Sequence, residues 1–96
     1  MNKRTKARDF QKYLAQQLKN PQFKKHYDEY GKQLEIAYQI LQLRKQKKMS
    51  QLQLAKKLKT KQSNIARIEA GKQNLSIQTL NDIAHALNTD LTVNFS

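Results

Sequence analysis

Apolar side chains recur at helical spacing along most of the chain. Phe10, Tyr13, Leu14 and Leu18 fall at i, i+3, i+4 and i+8, one side of an α-helix. Asn20-Pro21 interrupts that stripe and can open the next helix, with Asn as N-cap and Pro at the first helical position. From Pro21 to about Lys47 two stripes follow one another: Phe23, Tyr27, Tyr30 and Leu34, then Ile36, Ile40 and Leu43 with Ala37 and Leu41 alongside. Gly31 lies between them and marks where the helix is expected to bend or break. Farther on, Ser76 caps a pattern of Ile77, Leu80, Ile83, Ala84 and Leu87, and Asn88 is its stop. The period then changes from 3.6 to 2. Leu91, Val93 and Phe95 alternate with Thr92 and Asn94, which predicts a short strand. A lone strand is not stable in water, so it is expected to pair with another chain or to lie extended on the core.

Between these segments, residues 50–71 hold two short amphipathic patterns almost end to end. Leu54 and Leu58 repeat at i, i+4 with the small Ala55 beside them; Ile65 and Ile68 repeat at i, i+3. Ser50 with Gln53 reads as a capping box, Thr60 as an N-cap for the second helix, and Gly71 as the left-handed residue past its end. Two helices joined this tightly must cross steeply, with Ala55 small enough for close approach. That is a helix-turn-helix unit, whose second helix enters the DNA major groove.

The run Leu-Ala-x-x-Leu-x-Thr-x-Gln-Ser-x-Ile-x-x-Ile-Glu-x-Gly, from Leu54 to Gly71, resembles the XRE family of phage Cro and repressor proteins. The resemblance implies an all-α, phage-repressor-like helix-turn-helix bundle. It places Lys61, Gln62, Ser63, Asn64 and Arg67 at base-reading positions, with Ile65 and Ile68 facing the core. Gln62 suits a bidentate contact to adenine, and Arg67 a guanine or a phosphate. Gln51, Lys72, Gln73, Asn74 and Arg44 are the candidate phosphate contacts. The family usually has Gly where this chain has Lys59, so the turn is expected to be strained or differently shaped.

Charge placement agrees with a polyanion partner. Residues 1–30 carry eight Lys or Arg against three acids, residues 31–75 eleven against two, and residues 76–96 none against two. The excess of the net +12 therefore peaks around the helix-turn-helix. Ninety-six residues suit a single domain, and without cysteine there is neither a disulfide nor a thiolate zinc site. No apolar run approaches a membrane span, and a cytoplasmic location is expected. His26 and His85 pair with no carboxylates at metal-ligand spacing, Asp28 and Glu29 point apart on a helix, and no Gly-rich phosphate loop or nucleophile–base set is present. No cofactor, metal or catalytic site is expected. A small basic ribonuclease would fit the size and charge, but such an enzyme needs an antiparallel sheet and the pattern offers one strand.

The expected organisation is a mobile basic tail (1–8), an N-terminal helical extension (9–32), the helix-turn-helix domain (33–88) and a C-terminal strand (89–96). Two of three Phe and three of four Tyr fall in the extension. The segment Asn20-Pro-Gln-Phe-Lys-Lys-His-Tyr-Asp-Glu-Tyr resembles the leader of HigA-type antitoxins of toxin–antitoxin modules. Such proteins silence a RelE/HigB-like RNA-cutting toxin and repress their own operon. This implies double-stranded operator DNA and a cognate toxin as partners. It makes Phe10, Tyr13, Leu14, Leu18, Phe23, Tyr27 and Tyr30 the candidate toxin contacts, and Leu91, Val93 and Phe95 the candidate homodimer contacts. The alternatives are that the aromatic stripe packs on the protein's own core, and that the chain is a stand-alone repressor.

Overall fold

The computed structural model describes the backbone of residues 3–95 and the side chains of residues 9–95. Five helices follow one another: α1 (Lys3–Gln17), α2 (Pro21–Gln46), α3 (Gln51–Lys57), α4 (Gln62–Glu69) and α5 (Ile77–Ala86). Local chemistry explains most of their ends. Asn20 Oδ1 accepts from the Gln22 amide at 2.9 Å and Pro21 opens α2. At α3 both halves of the capping box form, Ser50 Oγ with the Gln53 amide at 3.0 Å and Gln53 Oε1 with the Ser50 amide at 2.7 Å. Ser76 likewise caps α5 through the Thr79 amide at 3.1 Å.

Helices α2 to α5 end in one shared device. The amide of the residue in left-handed conformation bonds back to the third residue before it, and the next amide reaches five residues back. The left-handed residues are Lys48 (φ 54°), Lys59 (φ 56°), Gly71 (φ 71°) and Asn88 (φ 57°). The turn at Lys59 is therefore the ordinary left-handed one, held by a residue with a Cβ. Only Gly71 is sterically obliged to be glycine, since a Cβ there would lie 2.5 Å from Leu34 Cδ2.

The core lies where α2, α3, α4 and α5 meet: Ile40, Leu54, Ala55, Ile65, Ile68, Ile83 and Leu87, with Leu43, Leu58 and Leu80 packed against them. Leu54 and Ile65 are fully enclosed, and burial of a side chain this size contributes roughly 1.5–3 kcal/mol. Before it, α1 folds back on α2. Phe10, Tyr13 and Tyr38 cluster with ring centroids 4.9–6.5 Å apart, and Phe23 meets Tyr13 edge-on at 6.2 Å.

Four expectations are corrected. Helix α1 begins at Lys3, not Asp9; Lys, Arg and Ala are good helix formers, and no Gly or Pro precedes Asp9 to stop them. Of the tail expected at 1–8, residues 1 and 2 lie outside the described residues. The bend in α2 falls at Tyr30 (φ −133°, ψ 32°), one residue before Gly31. The N-cap of α4 is Lys61, extended and without a side-chain cap bond. Thr60 is instead engaged by the α3 terminus, its amide reaching the Ala55 carbonyl at 2.9 Å. Lastly, no strand forms among the described residues: Leu91, Val93 and Phe95 alternate as expected but find no ladder partner, and Phe95 is 96% exposed.

Candidate nucleic-acid interface

Each residue of α4 turns 100° about the helix axis, so Gln62, Ser63, Ala66 and Arg67 share one arc and Ile65, Ile68 and Glu69 the opposite one. The structure follows this division. Gln62, Ser63 and Arg67 are exposed, whereas Ile65, Ile68 and Glu69 are buried. Lys59, Thr60, Lys61, Ser63, Asn64 and Arg67 line one open, shallow depression along the start of the helix. A long charged edge fits such a surface better than an enclosed small molecule does. Ala55, with no exposed area, lets α3 cross close beneath.

Behind the exposed arc runs a connected polar network. Glu69 Oε2 accepts from Arg44 Nε at 2.6 Å and Oε1 from Arg44 Nη2 at 3.0 Å. A third donor, Arg44 Nη1, reaches the Met49 carbonyl at 2.8 Å. Glu69 Oε1 also accepts from Gln51 Nε2 at 3.0 Å, and Gln51 Oε1 accepts from Gln62 Nε2 at 2.7 Å. The buried ion pair thus sets the orientation of Gln51, and Gln51 sets that of Gln62 at the helix start. The hydrogen bonds that Arg44 donates to Glu69 hold it above the ordinary arginine pKa against the opposing effect of burial. No buried side-chain nitrogen or oxygen among the described residues lacks a partner.

The expected site residues therefore separate. Lys61, Gln62, Ser63 and Arg67 stand together at the exposed face, with Lys72 and Asn74 exposed beyond its far end. Asn64 and Gln73 are half-buried and bond each other, Gln73 Nε2 to Asn64 Oδ1 at 2.7 Å, while Asn64 Nδ2 donates to Thr60 Oγ1 at 3.2 Å. That pair ties the loop after α4 to the helix. Gln51 is half-buried at the start of α3. Arg44 departs from the expectation: it is 8% exposed and turned inward, with three of its five N–H groups on Glu69 and Met49 rather than on an outer surface.

Sequence reasoning missed three participants. Glu69 enters the sequence pattern only within the Ile-Glu-x-Gly run, although its inward position on α4 is the available signal. Lys59 lines the depression, and the signal for it is the absent turn glycine. His26, which pairs with no carboxylate at metal-ligand spacing, donates from Nε2 to the Gly71 carbonyl at 2.8 Å and ties α2 to the end of α4; nothing local in the sequence announces that contact.

The helix-turn-helix family model (HTH_3) matches residues 40–94, more than half of the chain. The chain belongs to this family. The match is of XRE/Cro type, so the helix-turn-helix bundle is that of a sequence-specific DNA-binding regulator. No curated protein and no solved structure matches the chain. No helix among the described residues is long and apolar enough to cross a membrane. Among the same residues no group of three or more His, Asp or Glu could hold a metal ion.

Of the seven aromatic and leucine residues expected to meet a toxin, only Tyr30 is exposed, at 44%. Leu14 is buried at 6% exposure, and Phe10, Tyr13 and Phe23 are half-buried in the α1–α2 cluster. Leu18 and Tyr27 are also half-buried. Leu91 is half-buried, while Val93 and Phe95 are exposed.

Proposed function

We propose that the protein is an operator-binding repressor that works as a homodimer on inverted half-sites, and that its front third holds a RelE/HigB-like toxin in the manner of a HigA-type antitoxin. The observation that carries the operator reading is the outward arc of α4, where Gln62, Ser63 and Arg67 stand exposed over a fixed scaffold. Gln62 and Arg67 read base edges, Lys61, Ser63 and Asn64 adapt around them, and Gln51, Lys72, Gln73 and Asn74 grip the backbone. Two copies about a two-fold axis set their α4 helices ~34 Å apart, one turn of DNA. The exposed apolar residues Ile77, Val93 and Phe95 support a second copy as the dimer partner.

The toxin half of the reading is supported by the leader resemblance and by the position of α1 and early α2 outside the family match. A stand-alone repressor is the second reading. One observation favours it, the burial of Leu14 and the mutual packing of Phe10, Tyr13, Phe23 and Tyr38.

A gel shift on the region upstream of the protein's own gene, with and without the product of the neighbouring gene, tests both. Retardation that survives random competitor DNA supports the operator reading, and equal competition by random DNA overturns it. A neighbouring RNase-like protein that co-purifies through α1 and α2 supports the antitoxin reading. No such complex leaves the stand-alone repressor.

A further inference from the structure

Glycine is the least costly residue at a left-handed helix end, because an L side chain there crowds its own backbone. Of the four helices that end this way, α4 uses Gly71 and α5 uses Asn88, the side chain that best tolerates the conformation. The remaining two use Lys48 and Lys59. These lysines stand before and after α3, and both are exposed. A backbone cost taken twice, each time for a lysine, points to the ammonium group as the quantity retained.

The surroundings agree. Lys47, Lys48, Met49, Gln53, Lys56 and Lys57 line an open depression beside α3. Lys59, two residues past Lys57, lines the depression along α4. No acidic residue occurs between Ile36 and Ile68. The two ion pairs among the described residues, Lys32–Glu35 and Arg44–Glu69, involve none of these five lysines. A band of uncompensated charge therefore follows the chain from Lys47 and Lys48 along α3 to Lys59.

We infer that Lys47, Lys48, Lys56, Lys57 and Lys59 form a second phosphate-binding surface, which holds the DNA backbone beyond the bases read by α4. Lys59 shares its depression with Ser63, Asn64 and Arg67, which favours the same duplex over a separate acidic protein. The inference rests on the operator reading only for the register of the duplex; its charge component acts on any sequence.

The test uses the full chain in two sets of variants. In the first, Lys48→Gly and Lys59→Gly are each melted and titrated with a 40-bp random duplex. Each is expected to melt higher, on the order of 4 °C, and yet to bind roughly five- to tenfold more weakly at 0.1 M salt. In the second, Lys47, Lys48, Lys56 and Lys57 are all changed to Gln. The slope of log affinity against log salt on the same duplex is expected to fall in magnitude by about 2 to 4, since each lost phosphate contact removes ~0.9. A slope within one unit of wild type overturns the inference. So do Gly variants that bind as tightly as wild type. Loss of binding to poly-glutamate with the DNA slope unchanged also overturns it and reassigns the band to an acidic protein. The same variants are run on a duplex that the wild-type protein selects from a random pool. Failure to select any sequence counts against the operator reading, while the random-duplex slope still decides the inference.

Discussion

Removing the charge of Glu69 isolates the pair that organises the interface. Arg44 and Glu69 are 8% and 7% exposed, and the guanidinium meets the carboxylate through two hydrogen bonds of 2.6 and 3.0 Å. In Glu69→Gln the guanidinium stays charged despite its burial, because arginine is too basic to give up its proton in a folded protein. A buried charge stripped of its partner costs roughly 3–5 kcal/mol. A domain of this length has a total stability on the order of 5–14 kcal/mol, so the loss is about a fifth of the whole or more. At the low end of that range the melting temperature falls by roughly 12–24 °C, read by circular dichroism. The paired change Arg44→Met with Glu69→Leu leaves no buried charge and should recover to within about 1–2 kcal/mol of wild type. Operator affinity separates the two roles: in both variants Gln51 loses its carboxylate acceptor, Gln62 loses its orientation, and binding weakens even where stability returns. If Glu69→Gln melts within about 1 kcal/mol of wild type, the ion pair does not hold this corner together and the reasoning fails.

Gly71→Ala should destabilise by roughly 2–4 kcal/mol in urea titration, from a left-handed Cβ and its clash with Leu34; an unchanged midpoint contradicts the tight packing of α2 on that turn. Arg67→Ala should cost roughly 1–3 kcal/mol on the operator and relax base preference at one position, whereas Lys72→Ala should weaken operator and random duplex alike; equal losses from Arg67→Ala on both duplexes rule out base reading. Burial, and secondarily Tyr38, pushes the Tyr13 phenol above the ordinary tyrosine range. Its neutral form therefore supports the α1–α2 cluster fully below the ordinary tyrosine pKa, and the support is lost as pH rises through the higher folded value. An alkaline absorbance titration comparing wild type with Tyr13→Phe should show one late-titrating tyrosine vanish.

What could be read from the sequence was whatever is settled within one turn of helix. The Ser50–Gln53 capping box, the Asn20-Pro21 start and the split of Ile65 and Ile68 from Gln62 and Arg67 all depend on neighbours three or four residues away, and all stand in the structure. Lys59 was marked as unusual because a glycine was missing, although the pattern did not reveal that the turn keeps its shape with lysine in it. Long-range chemistry was hidden. Arg44 reads from the sequence as one more candidate phosphate contact, because its partner Glu69 lies 25 residues away and only folding brings them together. The alternation of Leu91, Val93 and Phe95 was real, but a strand is a property of pairs, and one segment cannot supply its own ladder.

The amide of Gly71 closes the end of α4 on the Ile68 carbonyl, and its own carbonyl accepts from His26, fourteen residues upstream of where the family match begins. Leu34, whose side chain fills the space beside that same glycine, also precedes the match. The borders of the shared family module are thus not the borders of the cooperating structure. A fragment trimmed to the module, or a graft of it onto another carrier, would keep every exposed side chain of α4 and leave the rear of that helix without its backing.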